Sequence, residues 1–172
     1  MAELKKRSAV SARALEFIIF TASRSSEARK AKWHEFDLEN ALWTVPAQRM
    51  KMGIEHRVPL SKHAIATLKF CKGYGSDYVF PAHNLKAPMS DMVFSALMKR
   101  MGYSDLTTHG FRSTFRDWCS EHHNASRDAA ELSLAHRIGN ATERAYARSD
   151  LLEQRRELMD HWAEFACSNW KA

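Results

Sequence analysis

Arg24 is the first residue whose type and surroundings suit chemistry on an anion. It stands in the segment Thr-Ala-Ser-Arg-Ser-Ser-Glu, so the carboxylate of Glu27 follows the guanidinium three residues later. On a helix this spacing forms a local ion pair, which is the simplest interpretation. The other interpretation is a guanidinium held by Glu27 and directed at a phosphate, since the planar donors of arginine match two phosphate oxygens at once.

A histidine and a second arginine, His109 and Arg112, follow in the second half of the chain. Their spacing places both on one face of the first turn of a predicted helix, where the free amides of a helix N-terminus also favour an anion. The apolar residues Phe111, Phe115 and Cys119 are expected on a different face, packed in the core. A histidine and an arginine on a solvated helix surface are the alternative.

Three further basic or nucleophilic residues stand out beside these, and none is persuasive alone. His136 stands in Leu-Ala-His-Arg-Ile-Gly-Asn, and Tyr146 follows it in Glu-Arg-Ala-Tyr-Ala-Arg. Lys51 opens the predicted turn Lys-Met-Gly. Each has an ordinary alternative role, because a tyrosine in an amphipathic segment normally packs and a lysine in a turn is normally solvated.

No metal site or organic cofactor is indicated by the sequence. His122, His123 and His161 have no partner at metal-ligand spacing, and the sequence has no HExxH motif. The 3 cysteines are far apart and odd in number. This pattern indicates reduced thiols rather than a disulfide framework or a zinc site.

Composition favours a polyanionic partner but does not establish one. The 172 residues carry a formal net charge of +6, and the isoelectric point is about 9.4. This length suits one domain with a single core. The apolar stretch from Ala12 to Ala22 is shorter than the ~20 residues of a membrane span, and no signal peptide is recognisable. We therefore expect a cytoplasmic protein.

The sequence predicts a mainly α-helical domain with a small antiparallel β-sheet. Ala12 to Ala22 is apolar on most sides, which predicts a central helix, and a second helix spans Ser26 to Trp33. Leu42 to Val45 and the alternating segment Ile54 to Leu60 predict a β-hairpin or small sheet around the Lys51 turn. Capping residues and apolar spacing predict six further helices, which are Ser61 to Cys71, Ser90 to Met101, Thr108 to about Glu121, Asp128 to Leu134, Ala141 to Tyr146, and a last helix beginning at a capping box of Asp150 and Glu153.

The order of these residues resembles the signature of the tyrosine recombinases, the phage-type integrases. The matching segments are Thr-x-x-Arg-x-x-Glu before Trp33, Val-Pro-Ala-Gln-Arg-Met-Lys51, Arg57-Val-Pro-Leu-Ser61, His-Gly-Phe-Arg112, Leu-Ala-His136 and Ala-Tyr146. The sequences of these segments most resemble those of the prophage and genomic-island branch of the family. The resemblance covers roughly Ala12 to Phe165, and six motifs in one order rarely agree by chance.

The resemblance implies an enzyme that cuts and rejoins DNA at specific sites. In such an enzyme Arg24 and Arg112 clamp the scissile phosphate, and His136 donates a further hydrogen bond to it. Tyr146 attacks the phosphorus and forms a 3′-phosphotyrosyl link. Neither a metal nor another cofactor is implied, because the arginines take the electrostatic role that Mg²⁺ has in other phosphoryl-transfer sites.

The same resemblance implies the residues that move protons and the partners of the reaction. His109 assists proton transfer at the tyrosine, and Lys51 is the general acid for the departing 5′-oxygen. Its neighbours Arg49 and Arg57 are also basic, and either competes for a simple phosphate-binding role. The implied partners are double-stranded DNA and further copies of the protein in a tetrameric synapse. The implied location is the nucleoid of a bacterial cytoplasm.

The sequence departs from the family at two small residues and in its length. Ser26 and Ala135 stand where many relatives have glycine, and both are small-for-small changes. Family members usually carry a core-binding domain, and often an arm-binding domain, ahead of this region. We therefore expect a single catalytic domain over residues 1–172 without those domains. Two alternatives stay open, a type IB topoisomerase-like enzyme and a truncated, non-catalytic DNA-binding remnant.

The last predicted helix needs a surface to pack against. Its apolar stripe is formed by Leu151, Leu158, Trp162 and Phe165. Such a stripe must be buried. We expect it to dock either on its own core or on a neighbouring protomer.

Overall fold

The computed structural model describes residues 1–121, 126–139 and 149–168. In these ranges the chain forms a mainly helical fold with a small antiparallel sheet, as predicted. The helices are α1 (Ala2–Lys5), α2 (Val10–Thr21), α3 (Ser25–Arg29), α4 (Lys62–Cys71), α5 (Val93–Arg100), α6 (Thr108–Glu121), α7 (Arg127–Ser133) and α8 (Leu152–Cys167). The strands are β1 (Phe36–Asp37), β2 (Leu42–Val45) and β3 (His56–Pro59).

Helix α2 is the centre of the fold, as its apolar composition predicts. Every residue from Ala14 to Thr21 is buried, and α1, α3, α4, α5, α6 and α8 all contact this helix. A helix that is apolar on most sides removes the most apolar surface from water when neighbours surround it. It ends at Ala22, whose left-handed φ of 47° turns the chain sharply toward Arg24. The most buried helix therefore fixes the starting point of the segment that carries Arg24.

The predicted hairpin is confirmed and is part of a three-stranded sheet. The strand order is β1-β2-β3, and both pairings are antiparallel, with Trp43 opposite Val58. The Trp43 ring is fully buried, and its Nε1 donates to the Glu35 carboxylate at 2.9 Å. The connection from β2 to β3 is longer than a tight turn, because it contains a short 3-10 helix, Ala47–Arg49, before the turn at Lys51.

Helix α8 docks on the core of its own chain. Leu158 and Trp162 are buried, whereas Leu151 and Phe165 at the ends of the stripe are half-buried. The Trp162 Nε1 donates to the Ile19 carbonyl of α2 at 2.7 Å. The predicted burial of this stripe is confirmed, and it takes place within one chain.

The helix boundaries show which capping predictions were correct. Ser61 caps α4, since its Oγ accepts from the Ala64 N–H at 3.3 Å. The prediction for Ser90 was wrong, because α5 begins after Met92. The Ser90 hydroxyl instead accepts from the Met92 N–H in the turn before the helix. For α6 the cap is Thr107 rather than Thr108, since the Thr107 hydroxyl accepts from the Gly110 N–H at 3.0 Å.

Two predicted helices differ from the structure, and one lies outside it. The helix expected over Ser26 to Trp33 ends at Arg29 and is followed by a 3-10 turn, Trp33–Glu35. The capping box of Asp150 and Glu153 was wrong, because α8 begins after Leu151 without a side-chain cap. The helix expected over Ala141 to Tyr146 lies outside the described residues.

No helix in the described part of the chain is long and apolar enough to cross a membrane.

Candidate active site

Arg24 lies at the N-terminus of α3 and is held there by the carboxylate of Glu27. The Glu27 Oε2 accepts from the Arg24 backbone N–H at 2.8 Å, and Oε1 accepts from the guanidinium at 2.8 Å. Glu27 is buried, whereas 26% of the Arg24 side chain remains exposed. The predicted pairing at i+3 is therefore present. One edge of the guanidinium is fixed by the fold, and part of it faces outward.

Arg112 lies on the buried side of α6 and joins two distant segments. Its guanidinium donates to the carbonyl of Ala22, at the end of α2, and to the carbonyl of Leu134, just beyond α7, the latter at 2.7 Å. Only 5% of the residue is exposed. The expectation that Arg112 faces away from the apolar residues of α6 was wrong, because it is buried on the same side as Phe115 and Cys119. A fixed guanidinium between two carbonyls cannot swing into solvent.

The two arginines form a positive centre with little compensating charge. Burial, together with the charge of Arg24, lowers the pKa of Arg112 to about 10, and Glu27 opposes this shift. Arg112 therefore remains protonated at neutral pH, while both of its acceptors are uncharged carbonyls. A guanidinium has five N–H donors, so donors remain beyond these two bonds. A buried cation of this kind is a natural partner for an anion.

His136 follows α7 and is anchored by Glu131. Its Nδ1 lies 2.6 Å from the Glu131 Oε2, and its backbone N–H donates to the Glu131 carbonyl at 3.0 Å. The other oxygen of Glu131 lies 2.9 Å from the Arg116 Nε on α6. Since 41% of the His136 side chain is exposed, the far edge of the ring faces outward. His136 stands two residues beyond the carbonyl that binds Arg112, so the structure brings these two predicted residues together.

His109 is on the first turn of α6, one turn before Arg112, as its spacing predicts. The residue is exposed, in contrast to the burial of Arg112. The buried residues of α6 are Arg112, Phe115, Trp118 and Cys119, so His109 lies ahead of the part of the helix that is packed in the core.

Lys51 lies in the exposed turn that precedes β3, and an arginine fixes the base of this turn. Arg49 donates to the carbonyls of Glu27 and Lys30, the latter at 2.7 Å, and pairs with Glu35. The start of the turn is thereby tied to α3, the helix that Arg24 opens. Arg49 is thus occupied by structural contacts, whereas Lys51 is exposed to solvent two residues later.

The second competing cation, Arg57 on β3, is also engaged. Its Nε and Nη2 donate to the two carboxylate oxygens of Asp150 at 3.0 and 2.7 Å. Burial works against ionisation of Asp150, but the hydrogen bond from Arg57 and the charges of Arg57 and Arg155 outweigh it and lower the pKa of the carboxyl. This pairing explains why Asp150 does not cap α8.

His56, on β3, is a residue of this region that sequence reasoning missed. Burial is the largest cause that lowers its pKa, to about 3, and the charges of Arg155, Arg24 and Arg112 add to it, opposed by a hydrogen bond with the Ser133 backbone. The ring is therefore neutral at physiological pH. A histidine in a strand carries no periodic signal, so only the tertiary structure, which brings the charges of Arg155, Arg24 and Arg112 near the ring, reveals its position. Glu131 was also missed, although it precedes His136 by only five residues, so the nearby carboxylate was the signal that could have found it.

The structure thus assembles part of the predicted set. Arg112 is near enough to Arg24 for that charge to lower its pKa, and it bonds the Leu134 carbonyl two residues before His136. His109 is one turn before Arg112, and Lys51 is on a turn anchored to the helix that Arg24 opens. Tyr146 lies outside the described residues. Among the residues that the structure describes, no group of three or more His, Cys, Asp or Glu side chains is arranged to hold a metal ion.

Comparison with known sequences identifies the family. The model of the phage integrase family matches residues 1–153. The chain is 39% identical over 150 residues to prophage integrase IntA of Escherichia coli K12, which covers 85% of this chain and 36% of that protein. It is 35% identical over 175 residues to the integrase of Enterobacteria phage P4, covering 91% and 40%. The chain therefore spans about two fifths of the length of these curated relatives.

A comparison with solved structures supports the same fold. The chain resembles the crystal structure of a lambda integrase(75–356) dimer bound to a COC′ core site, with a TM-score of 0.58 and 21% identity. The match covers 75% of this chain and 50% of that one. At this identity the similarity establishes the fold alone. The family model, which matches residues 1–153, shows that this chain belongs to the phage integrase family.

Proposed function

We propose that this chain is the catalytic part of a site-specific DNA recombinase that cleaves and rejoins duplex DNA through a 3′-phosphotyrosyl intermediate on Tyr146. It would act in the bacterial cytoplasm at the nucleoid, with further copies of the protein in a tetrameric synapse. The DNA substrate in this proposal is inferred from two similarities. The sequence relatives are integrases, and the lambda integrase of similar fold was crystallised bound to a core site.

The main support for the proposal is the pair of guanidinium groups of Arg24 and Arg112. Arg112 is fixed by two backbone carbonyls, and Arg24 by one carboxylate, so their net charge is positive. Charge develops on the non-bridging oxygens of a phosphodiester during attack. Donors that are already in place stabilise this charge without reorganising during the reaction.

The remaining residues supply the nucleophile and the proton transfers. The Tyr146 oxygen attacks the phosphorus and passes its proton to His109, while His136 donates a hydrogen bond to the phosphate. The bond between phosphorus and the 5′-oxygen breaks, and Lys51 gives that oxygen its proton. The phosphotyrosyl bond keeps the energy of the phosphodiester, so rejoining requires no external energy source.

Lys51 is favoured over its neighbours because they have other partners. Arg49 is bonded to two carbonyls and Glu35, and Arg57 is bonded to Asp150. An arginine also remains protonated at every working pH, whereas a lysine gives up its proton more readily. The exposed position of Lys51 allows it to approach a duplex laid across the site.

The test is the capture of a covalent adduct on nicked DNA. The chain is incubated with a library of nicked duplexes of random sequence, since the target site is not known, and with the same library after fusion to the N-terminal region of a relative. We expect a protease-sensitive adduct with a free 5′-hydroxyl. Tyr146→Phe should abolish the adduct without changing retention of the library on a filter at low salt, because it removes only the hydroxyl.

Two outcomes contradict the proposal. An adduct that persists in Tyr146→Phe places the nucleophile elsewhere. Failure of both the chain and the fusion to form any adduct identifies the chain as a non-catalytic remnant. Binding itself should fall steeply with salt, because phosphate contacts release counterions.

A further inference from the structure

Glu131 contacts His136 in a way that fixes which ring nitrogen carries a proton. The Glu131 Oε2 lies 2.6 Å from Nδ1 of His136. Burial acts against ionisation of Glu131, but the hydrogen bond with His136 and the charge of Arg116 outweigh it and lower the pKa of the carboxyl. Glu131 is thus an ionised carboxylate, which can only accept. The Nδ1 that faces it must therefore donate, which makes the neutral ring an Nδ1–H tautomer.

This assignment has a consequence for the outer edge of the ring. With the proton on Nδ1, the Nε2 of a neutral ring has a lone pair and cannot donate to a phosphate oxygen. It donates only when the ring is doubly protonated, and the carboxylate of Glu131 then supplies the opposite charge on the inner side. Carboxylates that contact the inner nitrogen of a functional histidine orient the ring in this way in many active sites.

We propose that Glu131 is a positioning residue of the active site, which holds His136 with Nδ1 inward so that the doubly protonated ring presents Nε2–H to the phosphate. The role in catalysis rests on the proposed recombinase function, whereas the orientation of the ring does not. Glu131 does not touch the phosphate itself and acts through His136.

The surroundings of Glu131 explain why it is rigid enough for this task. Only 17% of its side chain is exposed, and its second oxygen is bonded to Arg116 on α6 at 2.9 Å. Helix α7 places Glu131 in its last turn, and the chain returns so that the His136 N–H binds the Glu131 carbonyl. The carboxylate is therefore held by two helices, and the ring is held by both its backbone and its side chain.

The first experiment measures the tautomer in this chain alone. Protein labelled with ¹⁵N-histidine is examined by two-bond ¹H–¹⁵N correlation, well above the ordinary pH range of histidine protonation, and His136→Asn identifies the signals of His136. We expect the Nδ1–H form in the wild type and a shift toward Nε2–H in Glu131→Ala. Arg116→Ala is the matched control, because it breaks the same ion pair between α6 and α7 but leaves the contact between Glu131 and His136.

The second experiment measures adduct formation on the nicked duplex that wild type selects from the library. Glu131→Ala should lower the rate by about 10- to 100-fold, as removal of such orienting carboxylates commonly does. Glu131→Gln should recover part of the rate, since its amide oxygen still accepts from Nδ1 while the charge is lost. Glu153→Ala, which removes an exposed glutamate that also pairs with an arginine, should retain the wild-type rate.

The results separate failure of this inference from failure of the proposed function. An Nε2–H tautomer in the wild type overturns the inference whether or not the chain cleaves DNA. The expected tautomer without any adduct in the wild type leaves the orientation intact and refutes the recombinase function together with the catalytic role. A wild-type rate in Glu131→Ala, or no recovery in Glu131→Gln, refutes the role of Glu131 in the reaction.

Discussion

Arg112, assigned to the non-bridging oxygens of the phosphate, and Lys51, assigned to the departing 5′-oxygen, differ in how the fold holds them. Arg112 is buried, and its guanidinium joins the end of α2 to the end of α7. Lys51 lies in an exposed turn, and the nearest fixed point is Arg49, whose side chain is tied to α3. One cation is part of the core, whereas the other is attached to it through two residues of backbone.

This difference matches the two kinds of work that phosphoryl transfer needs. Charge stabilisation is most effective when the donors are in place before the substrate arrives, because no reorganisation is then needed during the reaction. A general acid must instead approach an oxygen that changes position as its bond breaks. A buried arginine suits the first task, and a lysine on an exposed turn suits the second.

Removal of the buried cation should have the largest effect. We expect Arg112→Ala to lower the rate of adduct formation by roughly 10³-fold, because it removes a prearranged donor from the phosphate. Arg112→Lys should fall between this variant and the wild type, since a lysine keeps the charge but cannot join both carbonyls. Single-turnover cleavage measures the rate, and circular dichroism confirms that the variants fold. A folded Arg112→Ala that cleaves at the wild-type rate would remove Arg112 from the site.

Removal of the exposed cation should have a smaller effect on cleavage and should depend on the leaving group. We expect Lys51→Ala to lower the rate on ordinary DNA by about 10²-fold, since an alkoxide needs a proton. Sulfur in place of the 5′-bridging oxygen should restore much of that rate, because a thiolate with a pKa of roughly 8.5 leaves without one.

Arg24→Ala is the control for this substitution. Its charge acts on the non-bridging oxygens, so sulfur should not restore its rate. Equal rescue of Lys51→Ala and Arg24→Ala, or rescue of neither, would make Lys51 a simple phosphate contact.

The free energy of unfolding of single variants tests whether the cations near β3 are part of the core. Arg155 of α8 is 1% exposed, pairs with Asp150, and donates to the Arg57 carbonyl at 2.5 Å. Arg155→Ala should reduce the free energy of unfolding by on the order of 3 kcal/mol, because it removes a fully buried side chain and its hydrogen bond to the Arg57 carbonyl. Arg156→Ala, beside it but more exposed, should cost less than about 1 kcal/mol. Urea unfolding distinguishes the two, and equal losses would show that Arg155 has no special role.

The smallest effect concerns His56, which lies beside the arginines without carrying charge. Its pKa is lowered to about 3 in the folded chain, whereas an unfolded histidine has a pKa of about 6.5. Between these values the unfolded state binds the extra proton, so stability is lost as the pH falls below 6.5. The loss at pH 5.5 relative to pH 7.5 should be about 1.4 kcal/mol larger in the wild type than in His56→Gln. Identical pH dependence of urea unfolding in both proteins would contradict the burial of a neutral ring.

The central helix and the paired arginine were predictable from local sequence. The burial of α2 follows from its composition, because a segment that is apolar on most sides has little polar surface to turn toward water. The ion pair of Arg24 with Glu27 follows from the i+3 spacing on α3. In the same way Ser61 predicts the start of α4, since its hydroxyl accepts from an N–H only three residues away. These contacts lie within one turn of helix, where spacing alone decides proximity.

The choices among competing partners were decided by the tertiary structure. Asp150 has the sequence of a helix cap but pairs with Arg57, which is 93 residues away along the chain. Arg49 and Lys51 have similar sequence neighbours. Only the tertiary structure shows that Arg49 bonds to the Lys30 carbonyl and to Glu35 and therefore has a structural role. The site itself arises because α2, α6 and α7 converge on Arg112. Spacing along the chain reports which residues can share a turn, whereas long-range partners depend on which surfaces are buried together, and that is settled only when the whole core forms.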